Sequence, residues 1–140
     1  MKTIRILLAI LLVLMLPSVV LAQNATAKQE AEKAGLQWLG IIDKGGYAAS
    51  YDSAAAMFKA AVTQKQWVHS LSGVRASLGD VVSRQLASAT YATSLPGAPD
   101  GQYVFMQFKS SFQNKREAVE TLTMVLEQDG QWRATGYFIK

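Results

Sequence analysis

The sequence predicts an α+β domain: two or three N-terminal helices packed on a curved four-stranded antiparallel sheet. Three observations carry this. Apolar residues recur at three- and four-residue intervals up to Gly79 and alternate beyond it. Turn signals cut the second half into four strands. The helical and stranded halves are segregated, which places helices on one face of an antiparallel sheet rather than between parallel strands.

The first segment stands apart. Lys2 and Arg5 precede an unbroken apolar run from Ile6 to Leu16, then Pro17-Ser18, then Val20-Leu21-Ala22 with small residues at the −3 and −1 positions before Gln23. This is the layout of a secretory signal peptide cut after Ala22. The run is shorter than the ~20 residues of a spanning helix. The expected organisation is therefore a signal peptide over 1–22 and one domain over 23–140, periplasmic or secreted, with no stable membrane anchor after cleavage.

The helices follow in order. Ala27, Ala31, Ala34, Trp38 and Ile41/Ile42 predict one helix from about Ala25, with Thr26 and Gln29 as a possible capping box. Gly45-Gly46 end it. Tyr47, Tyr51, Ala55, Phe58 and Val62 form a second stripe. Thr63 and Gln66 offer another capping box ahead of Trp67, Leu71, Val74 and Leu78, and Gly79 is a natural stop. Gly73 argues against one unbroken helix here.

The strands come next. Val81 to Thr93 is rich in β-branched and small residues, and the Pro96/Pro99 connection from Ser94 to Gly101 separates it from Gln102–Phe112. That strand shows Val104, Met106, Phe108 and Phe112 on one face. Ala118–Glu127 alternates again after a turn at Asn114-Lys115, whose geometry leaves the register of this strand open. Asp129-Gly130 is a two-residue hairpin signal before the last strand, Trp132 to Ile139. On that register Leu122 faces Tyr137 and Glu120 faces Ile139. The face carrying Glu120, Leu122, Met124 and Leu126 with Arg133, Thr135, Tyr137 and Ile139 is assigned to the helices.

Composition limits the chemistry. The 140 residues hold 14 Lys+Arg, 10 Asp+Glu, one His and no Cys. Disulfides, thiol catalysis and lipoprotein anchoring are excluded, and one His makes no multi-His metal site. Without residues 1–22 the net charge falls from +4 to +2, with no basic stripe for nucleic acid. His69 reads as helix surface, Asp43 as capping or neutralising the Lys44-Gly45-Gly46 turn, and the serines lack a nucleophile-elbow context. No metal or cofactor is expected. Trp38, Trp67, Trp132 and Tyr137 read as core. The Asn24-Ala25-Thr26 glycosylation match reads as incidental, and the Ser94–Gly101 loop as a partner surface or a rigid crossover.

Glu120 is the exception, a carboxylate mid-strand on an apolar face, expensive unless paired. Arg84 and Arg75 are its candidate partners. With Tyr137 they are the candidate pocket residues: a site for an anionic ligand, a buried pair that fixes packing, or an acid/base centre on Glu120.

The ordered features Trp38-Leu39, Asp43, Tyr51, Trp67, Arg75-x-x-Leu78-Gly79, Ser83-Arg84, Leu95-Pro96-Gly97-x-Pro99-Asp100-Gly101-x-Tyr103, Phe112, Glu120-Thr121 and Asp129-Gly130-x-Trp132-x-x-x-Gly136-Tyr137 resemble a family of small exported bacterial proteins, domain of unknown function 4019. The helices-then-sheet order also looks like the NTF2-like cone, a fold that hosts enzymes and non-enzymes. The resemblance implies no activity. The expected function is a non-catalytic domain of the bacterial cell envelope that binds a small ligand or an envelope protein. The alternatives are an isomerase- or hydrolase-like enzyme using Glu120 as acid/base, or a structural assembly subunit.

Overall fold

The computed structural model describes residues 16–140; residues 1–15, most of the expected signal peptide, lie outside the described residues. Four helices come first: α1 (Leu16–Asp43), α2 (Tyr47–Asp52), α3 (Ala56–Ala61) and α4 (Gln64–Leu78). Four strands follow: β1 (Val81–Ala92), β2 (Tyr103–Phe112), β3 (Lys115–Leu126) and β4 (Trp132–Ile139). The strands pair antiparallel in the order β1-β2-β3-β4, an open meander with the helices packed on it. This is the predicted α+β class.

α1 does not begin near Ala25: its described part already covers Leu16 to Ala25, because nothing between Gln23 and Thr26 breaks a helix. The expected cap at Thr26 is therefore absent, and its hydroxyl donates back to the Ala22 carbonyl at 3.0 Å. Ala27, Ala31, Trp38, Leu39 and Ile42 face the core. Gly35 sets how closely α1 meets the sheet: a Cβ there would stand 2.9 Å from Leu122 Cδ2 and from Met106 Cε.

The helix ends in a Schellman motif. Gly46 N–H donates to Ile41 O and Gly45 N–H to Ile42 O, each at 2.9 Å, with Gly45 at φ +80°. The second apolar stripe is two helices, not one. Ala54 and Ala55 are buried at the break, and Ala55 N–H donates to Ala134 O at 2.8 Å, docking the break on the edge of β4. Glu127 Oε1 accepts from Ala56 N–H at 2.7 Å and so caps α3.

α4 begins on the predicted Thr63/Gln66 capping box. It runs unbroken through Gly73, where a side chain would meet only open space. Its buried stripe is Trp67, Leu71, Arg75 and Leu78; Val74 is exposed, so Arg75 holds the inward position predicted for Val74. His69 is on the exposed helix surface, as predicted.

The β3–β4 connection also differs. Glu127 N–H donates to Gln131 O and Gly130 N–H to Glu127 O, which leaves the three-residue loop Gln128–Gly130 with Gly130 at φ +79°. Leu126 therefore pairs with Trp132 and Met124 with Ala134, so Trp132 and Ala134 face the core. Arg133, expected inward, pairs with Val125 on the outer face. A bulge at Thr135 then restores the predicted Leu122–Tyr137 and Glu120–Ile139 pairs. β2 and β3 pair with Phe108 opposite Glu120, which keeps Glu120 inward. The β1–β2 connection folds back on the outer face, where Tyr103 is buried and its hydroxyl donates to Pro99 O at 2.6 Å.

Candidate functional site

Six elements place polar side chains, five of them ionisable, at one junction of helices and sheet. The Schellman turn fixes Asp43 in the last turn of α1, where the helix dipole opposes a negative charge. Arg75 reaches it from α4 and Arg84 from β1. Glu120 comes from the middle of β3, Ser110 from β2 and Tyr137 from β4. Arg75, Arg84, Glu120 and Tyr137, the predicted site residues, are thus brought together. Asp43 and Ser110 complete the set.

The contacts form a chain. Arg75 Nη2 donates to Asp43 Oδ1 at 2.5 Å. Arg84 grips Asp43 with Nη1 on Oδ2 at 2.7 Å and Nη2 on Oδ1 at 3.0 Å. The same guanidinium grips Glu120 with Nε on Oε1 at 2.7 Å and Nη2 on Oε2 at 3.0 Å. Ser110 Oγ donates to Glu120 Oε1 at 2.5 Å, and Tyr137 Oη donates to Oε2. Each oxygen of Glu120 accepts two hydrogen bonds, which fills the acceptor capacity of a carboxylate. Glu120 is fully buried, and the Arg84 side chain is 11% exposed. Two guanidinium groups face two carboxylates, so the cluster is formally neutral.

The electrostatics follow from burial and pairing. Burial works against the Asp43 charge, but the Arg84 and Arg75 hydrogen bonds outweigh it and hold the carboxyl below its ordinary value. Burial likewise opposes the Arg84 charge, and its bonds to Asp43 and Glu120 more than offset that, pushing its pKa up. Burial, then the charge of Glu120, push the Tyr137 phenol well above its usual range. Arg75 Nε is buried without a hydrogen-bond partner, while the guanidinium carbon stands 5.1 Å from the centre of the Phe112 ring.

This arrangement holds elements together more readily than it offers a reactive group. Glu120 has no free lone pair for a substrate, and Tyr137 is held protonated beside it. The aromatic layer next to it is equally committed. Trp38 and Trp67 stack at 6.0 Å, and Trp38 meets Tyr137 edge-on at 5.6 Å. Ser50, fully buried, satisfies both indoles: its carbonyl accepts from Trp38 Nε1 at 2.8 Å and its hydroxyl from Trp67 Nε1 at 2.9 Å. Among the described residues no group of three or more His, Asp or Glu is placed to hold a metal ion.

Sequence reasoning missed two members. Asp43 does not neutralise the glycine turn; its register at the helix end turns it to the two arginines. Its place just before a Gly-Gly helix stop, with Lys44 between, was the available signal. Ser110 carried none, being one small residue in an alternating strand.

A groove of about 720 Å³ opens at the other end of the sheet. Ala27 and Glu30 of α1, Tyr91 at the end of β1, Gln102, Leu126 and Trp132 line it, together with Ser18, Val19 and Ala22. None of the predicted site residues does.

Fold and cluster together define a small α+β domain whose interior charges are mutually neutralised. Residues 34–137 match the family described as protein of unknown function (DUF4019), and the chain belongs to that family. None of the curated proteins compared with the chain matches it.

Proposed function

We propose that this chain is an exported, non-catalytic binding domain of the bacterial cell envelope, built on an NTF2-like arrangement, in which the Arg75–Asp43–Arg84–Glu120–Tyr137 cluster is the scaffold. One observation carries the reading: Glu120, the only carboxylate among the described residues on the inner sheet face, has all its acceptor sites filled by the protein's own donors. A binding domain needs a fixed frame and an open surface, and both are present, the cluster at one end and the groove at the other. The ligand is a small molecule or an envelope protein.

Export is supported by the N-terminal pattern and by the burial of α1. Val19, Val20 and Leu21 are exposed and add nothing to the core, which begins at Ala27. Cleavage after Ala22 would therefore remove apolar surface, and with it Ser18, Val19 and Ala22 from the groove wall, without opening the interior. No helix among the described residues is long and apolar enough to cross a membrane.

The test is native mass spectrometry of protein recovered from the periplasm or medium. The expected species begins at Gln23 and retains a small ligand or a protein partner. An unprocessed chain found in the cytoplasm would refute export. A reaction abolished by Glu120→Gln in a variant that melts like the parent would refute the non-catalytic reading.

A further inference from the structure

The geometry points to the groove between α1 and the ends of β1 and β4 as a binding site for a small organic cation, an alkylated or quaternary ammonium with an apolar body. This deepens the binding-domain reading and rests on it. Ser18, Val19 and Ala22 leave with the signal peptide, and the walls that remain are the aromatic and apolar Tyr91, Trp132, Ala27 and Leu126 with the polar Gln23, Thr26 and Gln102. Among the described residues that line it, Glu30 is the one charged group, and no Lys, Arg or His is present. Lys28 and Lys33 lie on α1 outside the lining.

Glu30 is placed for this task. Trp132 Nε1 donates to its Oε2 across a long 3.4 Å, so the carboxylate stands at the indole edge. It forms no ion pair among the described residues. The indole N–H, the positive edge of the ring, is turned to Glu30, and Trp132 and Tyr91 both line the groove, aromatic surface of the kind that attracts a cation. The surrounding end of the sheet has the same sign. Asp100 lies in the β1–β2 connection, and Glu127 and Asp129 lie at the β3–β4 loop, with Arg133 the single cation that pairs there. A carboxylate beside aromatic and aliphatic walls attracts a cation that brings its own apolar surface, and repels an anion.

The experiment titrates choline and its uncharged carbon isostere, 3,3-dimethylbutan-1-ol, into the purified exported protein, which begins at Gln23, by calorimetry and tryptophan fluorescence. Choline should bind saturably and the isostere about fivefold more weakly or worse. Glu30→Gln, a surface change, should weaken choline by a similar factor, leave the isostere unchanged and leave the melting curve in place. Equal affinity for the two ligands, a choline preference that survives in Glu30→Gln, or no saturation overturns the assignment. An anion or a protein retained in native spectra while choline fails to bind overturns the cation assignment and leaves the binding-domain reading standing. No retained species and no choline binding overturn both.

Discussion

Removing one charge from the buried cluster leaves the rest without its counter-charge. Arg84→Met strands two carboxylates against Arg75 alone, and Glu120→Gln strands two guanidinium groups against Asp43 alone. Arg84 is 11% exposed, Glu120 is fully buried and Asp43 is 19% exposed, so water screens little of the imbalance. Breaking one partner of such a pair costs about 3–5 kcal/mol. For a domain of this size that corresponds to a fall in Tm of very roughly 12–20 °C. The double variant Arg84→Met/Glu120→Gln leaves Arg75 and Asp43 as a neutral pair, and the Gln oxygen still accepts from Tyr137 or Ser110. Its loss should fall short of the sum of the single losses by about 2–3 kcal/mol. Urea unfolding of the four proteins, followed by tryptophan fluorescence, reads this directly. Should a single variant fail to fold, the double variant should still give a cooperative transition. Single losses below ~1 kcal/mol, or losses that simply add, would show that the cluster is not the coupled scaffold described here.

Three further outcomes follow from particular contacts. Ser50→Ala should cost about 1–3 kcal/mol in unfolding free energy, because Trp67 Nε1 loses its buried acceptor while Trp38 keeps the backbone carbonyl. Gly35→Ala should be mild, since only the flexible tips of Leu122 and Met106 must yield, whereas Gly35→Val should lose ~1–3 kcal/mol by overpacking. The pH dependence has two limbs. Asp43 has a folded pKa below 3.8, so the unfolded chain takes up the proton first on acidification. Its contribution is complete above pH 3.8 and is lost as pH falls through the folded value. Tyr137 has a folded pKa raised above 10.0, so its contribution is complete below pH 10.0 and declines as pH rises beyond it. Equilibrium unfolding at each pH should show both limbs, and Tyr137→Phe should weaken the alkaline one.

The cluster also gives the fold its register. Asp43, Arg75, Arg84 and Glu120 come from α1, α4, β1 and β3, and a two-residue slip of β3 would keep its apolar face inward while pulling Glu120 off the Arg84 fork. Buried ion pairs are weak evidence for net stability, because desolvation consumes much of the attraction. Their directionality is what distinguishes one packing of these helices on the sheet from another. The groove carries no comparable constraint, and its single carboxylate remains available.

The sequence by itself determined the α+β class, the order of elements, the Thr63/Gln66 start of α4, the inward face of β2 and the oddity of Glu120. All of these are local: they rest on periodicity of 3.6 or 2 residues, on caps, and on a charge out of place in an apolar pattern. Only the tertiary structure decided the rest. It moved Arg75 into the stripe in place of Val74, split the second helix so that Ala55 could pair with the β4 edge, and turned Trp132 and Ala134 inward through a three-residue loop and a bulge. It also brought Asp43 to the two arginines. A loop one residue longer is invisible in the alternation of either strand, yet it exchanges the two faces of everything beyond it until a bulge corrects the count. The partners of a buried charge lie far apart in the chain, so their choice depends on how α1, α4 and the sheet pack together.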